Sequence, residues 1–191
     1  MAIDIKEILA NGLLELCEEI PLESITIKQL LDKTKVSRQT FYNHFKDKND
    51  LIQYIYIEKI IPRYHDASID IDFYSSLLDT FKRMKKYHKF MKQACLMNDQ
   101  NCLRDFIFEH CKEFDLKWHQ HLYGDKPMSD ALRFATEYHA TASSSMTLSW
   151  ILSDMPASCE EMAMLITNMR GIGMEKLFED VRTGYNPYNK K

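Results

Sequence analysis

The sequence predicts an all-α fold: a small N-terminal helix-turn-helix domain of three helices, then a larger helical bundle. Three observations carry this. Gly and Pro number only five each in 191 residues. That is too few for the recurring turns of an all-β protein or the Gly-rich loops of a doubly wound α/β enzyme. Apolar residues recur three and four apart along most of the chain, and no stretch alternates as a strand would. Side chains suited to capping stand just ahead of those stretches. At 45% apolar and 28% charged residues, the chain can bury a core and is not a disordered segment.

The first helix is read from the stripe Ile5, Ile8, Leu9, Leu13, Leu16, Cys17 and Ile20, and Pro21 ends it. Thr26 caps a second helix from Ile27 to about Lys33. Thr34-Lys35-Val36 is a break too short for an ordinary loop. Ser37 caps a third helix, Arg38 to Phe45, and Asp47 a fourth, Lys48 to about Ile61, stopped near Pro62. Residues 63–72 are the expected boundary, which gives domains of 1–62 and 63–183 and a tail over 184–191. Helical spacing resumes over 73–97 with a break near Tyr87-His88; Phe81, Met84, His88, Met91 and Cys95 are expected on one inward face. Further helices are expected over 101–122, from 130 to about 153 behind Ser129, and from the capping box Ser158/Glu161 to about Asp180.

Two short helices joined by three residues describe a helix-turn-helix, whose second helix enters the DNA major groove. Charge agrees. The net charge is −3, so nothing global advertises nucleic acid. Yet residues 24–48 hold six Lys or Arg against two acids, while residues 1–23 hold one Lys against six acids. On the third helix Phe41 and Phe45 are four apart and point inward with Val36. Arg38, Gln39, Thr40, Asn43 and His44 are left facing out, and each can hydrogen-bond a base edge or a phosphate. The plainer alternative is a small helical subdomain with an ordinary polar surface.

The run Thr26-Ile27-Lys28-Gln29-Leu30, followed by Val36-Ser37-Arg38-Gln39-Thr40-Phe41-Tyr42-Asn43-His44-Phe45-Lys46-Asp47-Lys48-Asn49-Asp50-Leu51, resembles the N-terminal domain of the TetR family of bacterial transcription regulators. The resemblance implies a DNA face at Thr26, Arg38, Gln39, Thr40, Tyr42, His44 and Lys48, to which the positive stretch adds Lys28. Arg38, Gln39 and Thr40 would read bases, and Tyr42 and Lys48 would meet phosphates. It also implies a homodimer on a palindromic double-stranded operator, repression by default, and release by an effector. The sequence departs from the family pattern in the turn, where Thr34-Lys35 replaces Ala-Gly. Lys35 is therefore expected at positive φ. Tyr138-His139, Trp150 to Pro156 and Glu160 to Ala163 resemble the C-terminal domains of family members grouped with dihydroxyacetone-kinase regulators.

In the second domain, Phe106, His110, Tyr138, Met146 and Trp150 are candidates to line an effector cavity, the alternative being plain core. The helices near 130–153 and 159–178 are expected to form the dimer interface, with Ala140, Ala142, Ser143, Ser144 and Ser145 permitting close approach. The basic run Lys82, Arg83, Lys85, Lys86, Lys89 and Lys92 reads as a solvated helix face, or else as a patch for an acidic partner. No motif points to catalysis, a metal or a cofactor. His119 and His121 are two apart, on different sides of a helix. The five cysteines form no disulfide pattern, and neither a signal peptide nor a membrane span is legible, so a cytoplasmic protein is expected. The remaining readings are a helical protein-interaction module that no longer binds DNA, or an activator whose signal is a partner protein.

Overall fold

The computed structural model describes residues 4–62, 73–123 and 129–170, with the backbone alone over 118–123. Among these the elements are helical: α1 Ile5–Glu19, α2 Ile27–Thr34, α3 Arg38–His44, α4 Lys48–Ile55, α5 Phe73–Lys86, α6 His88–Leu96, α7 Leu103–Tyr123, α8 Asp130–Leu152 and α9 over 159–170. A 3₁₀ turn, Leu22–Ser24, joins α1 to α2. Residues 63–72, expected as the boundary, residues 124–128, and everything beyond 170 lie outside the described residues.

Thr26, Ser37, Asp47, Ser129 and Ser158 cap where the sequence puts them, and Asp4, not singled out as a cap in the sequence, does the same for α1. Asp4, Ser37, Asp47 and Ser129 each accept from a backbone N–H of the first turn they cap. Thr26 closes a reciprocal capping box with Gln29. Ser158 Oγ accepts from Glu161 N–H at 3.0 Å. Such caps satisfy donors that a helix start leaves unpaired, each worth about 1 kcal/mol.

One core runs through both parts of the chain. Leu9, Leu13 and Cys17 of α1 meet Leu30, Phe41 and Phe45, and the core continues to Phe90, Met91 and Ala94 of α6. Gly12 is buried at the α1–α2 crossing, where a Cβ would collide with the Thr34 γ-methyl. α6 packs on α1 and on the 3₁₀ turn, and α4 packs on α7. α7 lies along α8.

Two elements differ from expectation. The fourth helix does not run evenly to Ile61. After Ile55 it widens into a π turn, Tyr56–Ile60, closed by Ile61 N–H to Tyr56 O at 3.1 Å. This buries both Tyr56 and Ile60. The break at Tyr87, with φ −105° and ψ 32°, restarts the helix on a new register. Phe90, Met91, Ala94 and Cys95 then face the core, while His88 faces solvent instead of inward.

Candidate nucleic-acid interface and effector cavity

The helix-turn-helix is built by three local devices. Phe41 and Phe45 are buried and fix the inner face of α3. Lys35 ends α2 in the left-handed region, φ 59° and ψ 18°, as the departure from Gly predicts. Ser37 then starts α3. What remains outward on α3 is Arg38, Gln39, Tyr42, Asn43 and His44, all exposed, with Thr40 half-buried. The Arg38 guanidinium lies 5.4 Å from the Tyr42 ring centroid, so the two side chains steady each other on the surface. The Thr40 hydroxyl sits 2.8 Å from that of Ser37. Thr26 stands at the start of α2, and Lys28 is exposed within its first turn.

Lys48, expected as a phosphate contact, is engaged within the chain. Its ammonium donates to the carbonyls of Leu22, Glu23 and Ile25 at 2.9, 3.0 and 2.9 Å. An ammonium has three hydrogens, and these three acceptors use them all. Burial lowers its pKa from the usual lysine value, against the pull of Asp99 and Glu23. The side chain thus holds the 3₁₀ turn against α4.

The link from this domain to the rest was not legible in the sequence. Asn49 Nδ2 donates to Asp99 at 2.7 Å and to Gln100 O at 3.0 Å, and Gln53 Nε2 to Asn101 O at 2.8 Å. Gln93 accepts from Leu22 N–H and donates to Cys17 O. The partners stand 48 to 76 residues apart, beyond the reach of any local pattern.

A cavity of about 110 Å³ lies among α5, α7, α8, α9 and the π turn. Tyr56, Ile61, Phe73, Phe81, His110 and Phe114 are among its walls. At one wall Asp115 of α7 meets Arg170 at 2.6 Å, and the guanidinium lies 3.9 Å from the Phe73 ring centroid. Of the five side chains expected here, His110 lines the cavity. Phe106 is stacked behind it, 6.1 Å away with rings 14° apart, and lines a separate acidic groove with Asp47, Asp50, Asp105 and Glu109. Trp150 is core: its ring meets Phe81 edge-on at 5.4 Å and its indole N–H donates to Ala157 O. Tyr138 and Met146 are 65% and 60% exposed, on the outer side of α8. They lie two turns apart on the face opposite Ala140, Ser144, Thr147 and Ile151, which are buried.

That outer side is itself apolar. Phe134, Tyr138 and Met146 of α8, with Met164, Leu165 and Met169 of α9, are large and exposed. Between them on α8 lie Thr141, Ala142 and Ser145, with Glu137, which pairs with Lys112, at the edge. Ser144 is not among these: it is buried against the molecule's own interior. Gly171 and Gly173 lie outside the described residues.

The basic run is tied down within the chain. Lys82 pairs with Glu160, Arg83 with Asp79, Lys89 with Glu18 and Lys92 with Asp154. Lys86 lies over the Tyr87 ring. It behaves as the charged side of α5 and α6, bridging to α1 and the α8–α9 turn. Among the described residues no three His, Cys, Asp or Glu side chains gather as a metal site, and His119 and His121 fall where side chains are not described. No described helix is long and apolar enough to cross a membrane.

The chain is similar to known regulators in both parts. Residues 11–55 match the bacterial regulatory proteins of the tetR family. Residues 72–170 match a transcriptional regulator C-terminal region of the same family. A curated relative, the HTH-type dhaKLM operon transcriptional activator DhaS of Lactococcus lactis subsp. lactis (strain IL1403), is 22% identical over 123 residues. That alignment spans 59% of this chain and 66% of the relative, just under two thirds of its length. Among solved structures, a dihydroxyacetone kinase operon activator DhaS superposes with a TM-score of 0.66 at 20% identity, covering 88% of this chain and 95% of that one. A TetR-family regulator from Syntrophomonas wolfei str. Goettingen superposes at 0.55 and 15% identity, covering 96% and 97%. The superpositions speak for the fold. The sequence matches, which take in α2 to α4 and most of the second part, go further: this chain belongs to the TetR family of DNA-binding transcription regulators.

Proposed function

We propose that the chain binds a two-fold symmetric DNA operator as a homodimer, with 1–62 as the reading domain and 63–183 as the dimerising and sensing domain. One observation carries this. Buried Phe41 and Phe45 lock α3 so that Arg38, Gln39, Tyr42, Asn43 and His44 stand together in solvent. In that arrangement Arg38, Gln39 and Thr40 read base edges and Tyr42 contacts phosphate, with Thr26, Lys28 and His44 flanking. Lys48 serves as a positioning residue that holds the α1–α2 connection. The apolar outer sides of α8 and α9 supply the dimer face. The cavity is the sensing site. Tyr56 and Ile61, at the end of the helix that follows the reading helix, form part of its wall, so an occupant bears directly on the reading domain.

Whether occupancy releases or recruits is read from the relative named as an activator: activation stands beside repression as the output. The test is a mobility shift with the DNA that flanks the gene. The wild type retards it well below the concentration that retards random duplex, and Arg38→Ala loses that margin. Equal retention of both duplexes by the wild type contradicts the proposal.

A further inference from the structure

The cavity walls specify the chemistry of what enters, and this step rests on the sensing role given to that cavity above. Its volume is about 110 Å³. An apolar cavity of roughly 150 Å³ holds benzene, so this one suits a molecule of about five heavy atoms. Every titratable group on its wall is neutral or already paired. Tyr56 is fully buried, with its phenol held well above the usual value by burial. Burial pushes the Cys111 thiol up to about 11. Burial lowers the His110 pKa from its usual value, more than Glu113 restores it, so the imidazole is neutral near pH 7. Asp115 is matched by Arg170, whose guanidinium is in turn covered by Phe73. A ligand with a net charge would have to break that pair or leave its own charge uncompensated among Phe73, Leu77, Phe81 and Ile107.

Two of the polar side chains on the wall, His110 and Thr80, can accept a hydrogen bond from a ligand. Among the described residues the His110 imidazole makes ring contacts only, edge-on to Tyr56 at 6.0 Å and stacked on Phe106. A neutral imidazole offers one acceptor nitrogen and one N–H donor, and a hydroxyl, unlike an ether oxygen, can meet either. The Thr80 hydroxyl spends its hydrogen on Ser76 O at 2.9 Å, so toward the cavity it too is an acceptor. We propose that the cavity binds an uncharged aliphatic molecule of about five heavy atoms carrying a hydroxyl, and that this hydroxyl donates to His110.

The test uses the full-length dimer and four probes: 1-butanol, its isomer diethyl ether, butyrate and butylammonium. Binding is followed by saturation of the Met84 methyl and His110 ring resonances. Butanol and ether contain the same atoms, and only butanol has a hydroxyl to donate. Butanol should saturate both resonances at a concentration about tenfold below that for ether, the worth of one hydrogen bond to a buried acceptor. Neither ion should saturate them. In His110→Phe the margin between the two isomers should vanish while folding is retained; if that variant does not fold, the wild-type comparison of the isomers decides alone. Butyrate or butylammonium binding as well as butanol overturns the inference, as does equal binding of the isomers or no saturable binding of any probe. The same preparation is assayed for operator retardation. Retardation without probe binding sinks the ligand class and leaves the regulator intact; loss of both sinks the regulator reading itself.

Discussion

Single residues decide the geometry of the reading helix. Lys35 adopts φ 59°, where a side chain costs about 1 kcal/mol relative to Gly. Lys35→Gly should therefore raise the stability of the chain by up to about 1 kcal/mol, measured as the urea midpoint at constant slope. A destabilised variant would mean that the lysine side chain contributes something its exposed position hides. This residue was legible in advance, because a three-residue turn between helices requires one left-handed position. Lys48 was not. Its place at the start of a helix resembles that of an anion contact, and only the fold shows three carbonyls converging on its ammonium from 23 to 26 residues away. The same applies to Asn49 and Gln53, whose acceptors lie on the segment before α7. Local spacing reports periodicity and caps. It carries no record of which distant carbonyl a polar side chain will meet.

At the scale of elements, α8 shows what periodicity alone leaves open. The stretch Tyr138 to Ser153 holds no Asp, Glu, Lys or Arg, so both of its sides are apolar or small and the sequence does not say which one faces inward. The packing against α7 chooses. Ala140, Ser144 and Thr147 turn in, and Thr141, Ala142, Ser145 and Met146 turn out. This separates two substitutions only two residues apart on α8 but opposite in consequence. Ala142→Arg should split the dimer in sedimentation and abolish tight operator binding while helicity by circular dichroism stays close to wild type. Ser144→Arg should instead unfold the chain, since it drives a charge into the space beside α7. A dimer that tolerates Ala142→Arg would move the interface away from α8. The π turn after Ile55 was likewise illegible: its residues fit an ordinary helix equally well, and the extra residue in the turn is visible only in the Ile61 to Tyr56 hydrogen bond. The starts of α2, α3, α4, α8 and α9, by contrast, were legible, because a cap is a local exchange of one side chain for one orphan N–H.

For the whole molecule, two half-buried histidines predict that the second part of the chain loses stability in acid. Burial holds His110 below the ordinary histidine value, and burial with the Arg170 charge does the same to His139. A depressed pKa in the folded state means that the unfolded chain binds the proton more readily. Stability is therefore full above about pH 6.5 and falls as the pH drops through that value. Asp115, raised by burial against the pull of Arg170, acts in the opposite sense and nearer the ordinary carboxylate range. The unfolding midpoint should thus decline from pH 7.5 to 5.5, and replacing both histidines with Phe and Asn respectively should flatten that decline. An unchanged midpoint across this interval in the wild type would show that neither imidazole is buried in solution.

The same whole-molecule view makes one demand of the DNA. Two copies of α3, related by a two-fold axis through the outer sides of α8 and α9, must meet two copies of one half-site. Selection of binding sites from a pool of random duplexes by the purified full-length protein tests this most directly. The outcome consistent with a dimeric reader is an inverted repeat whose half-site centres lie about one helical turn apart or somewhat more, with base preferences lost at one position per half-site in Arg38→Ala. Enrichment of a single, non-repeated site, or recovery of a pool no different from the starting one at moderate salt, would contradict it.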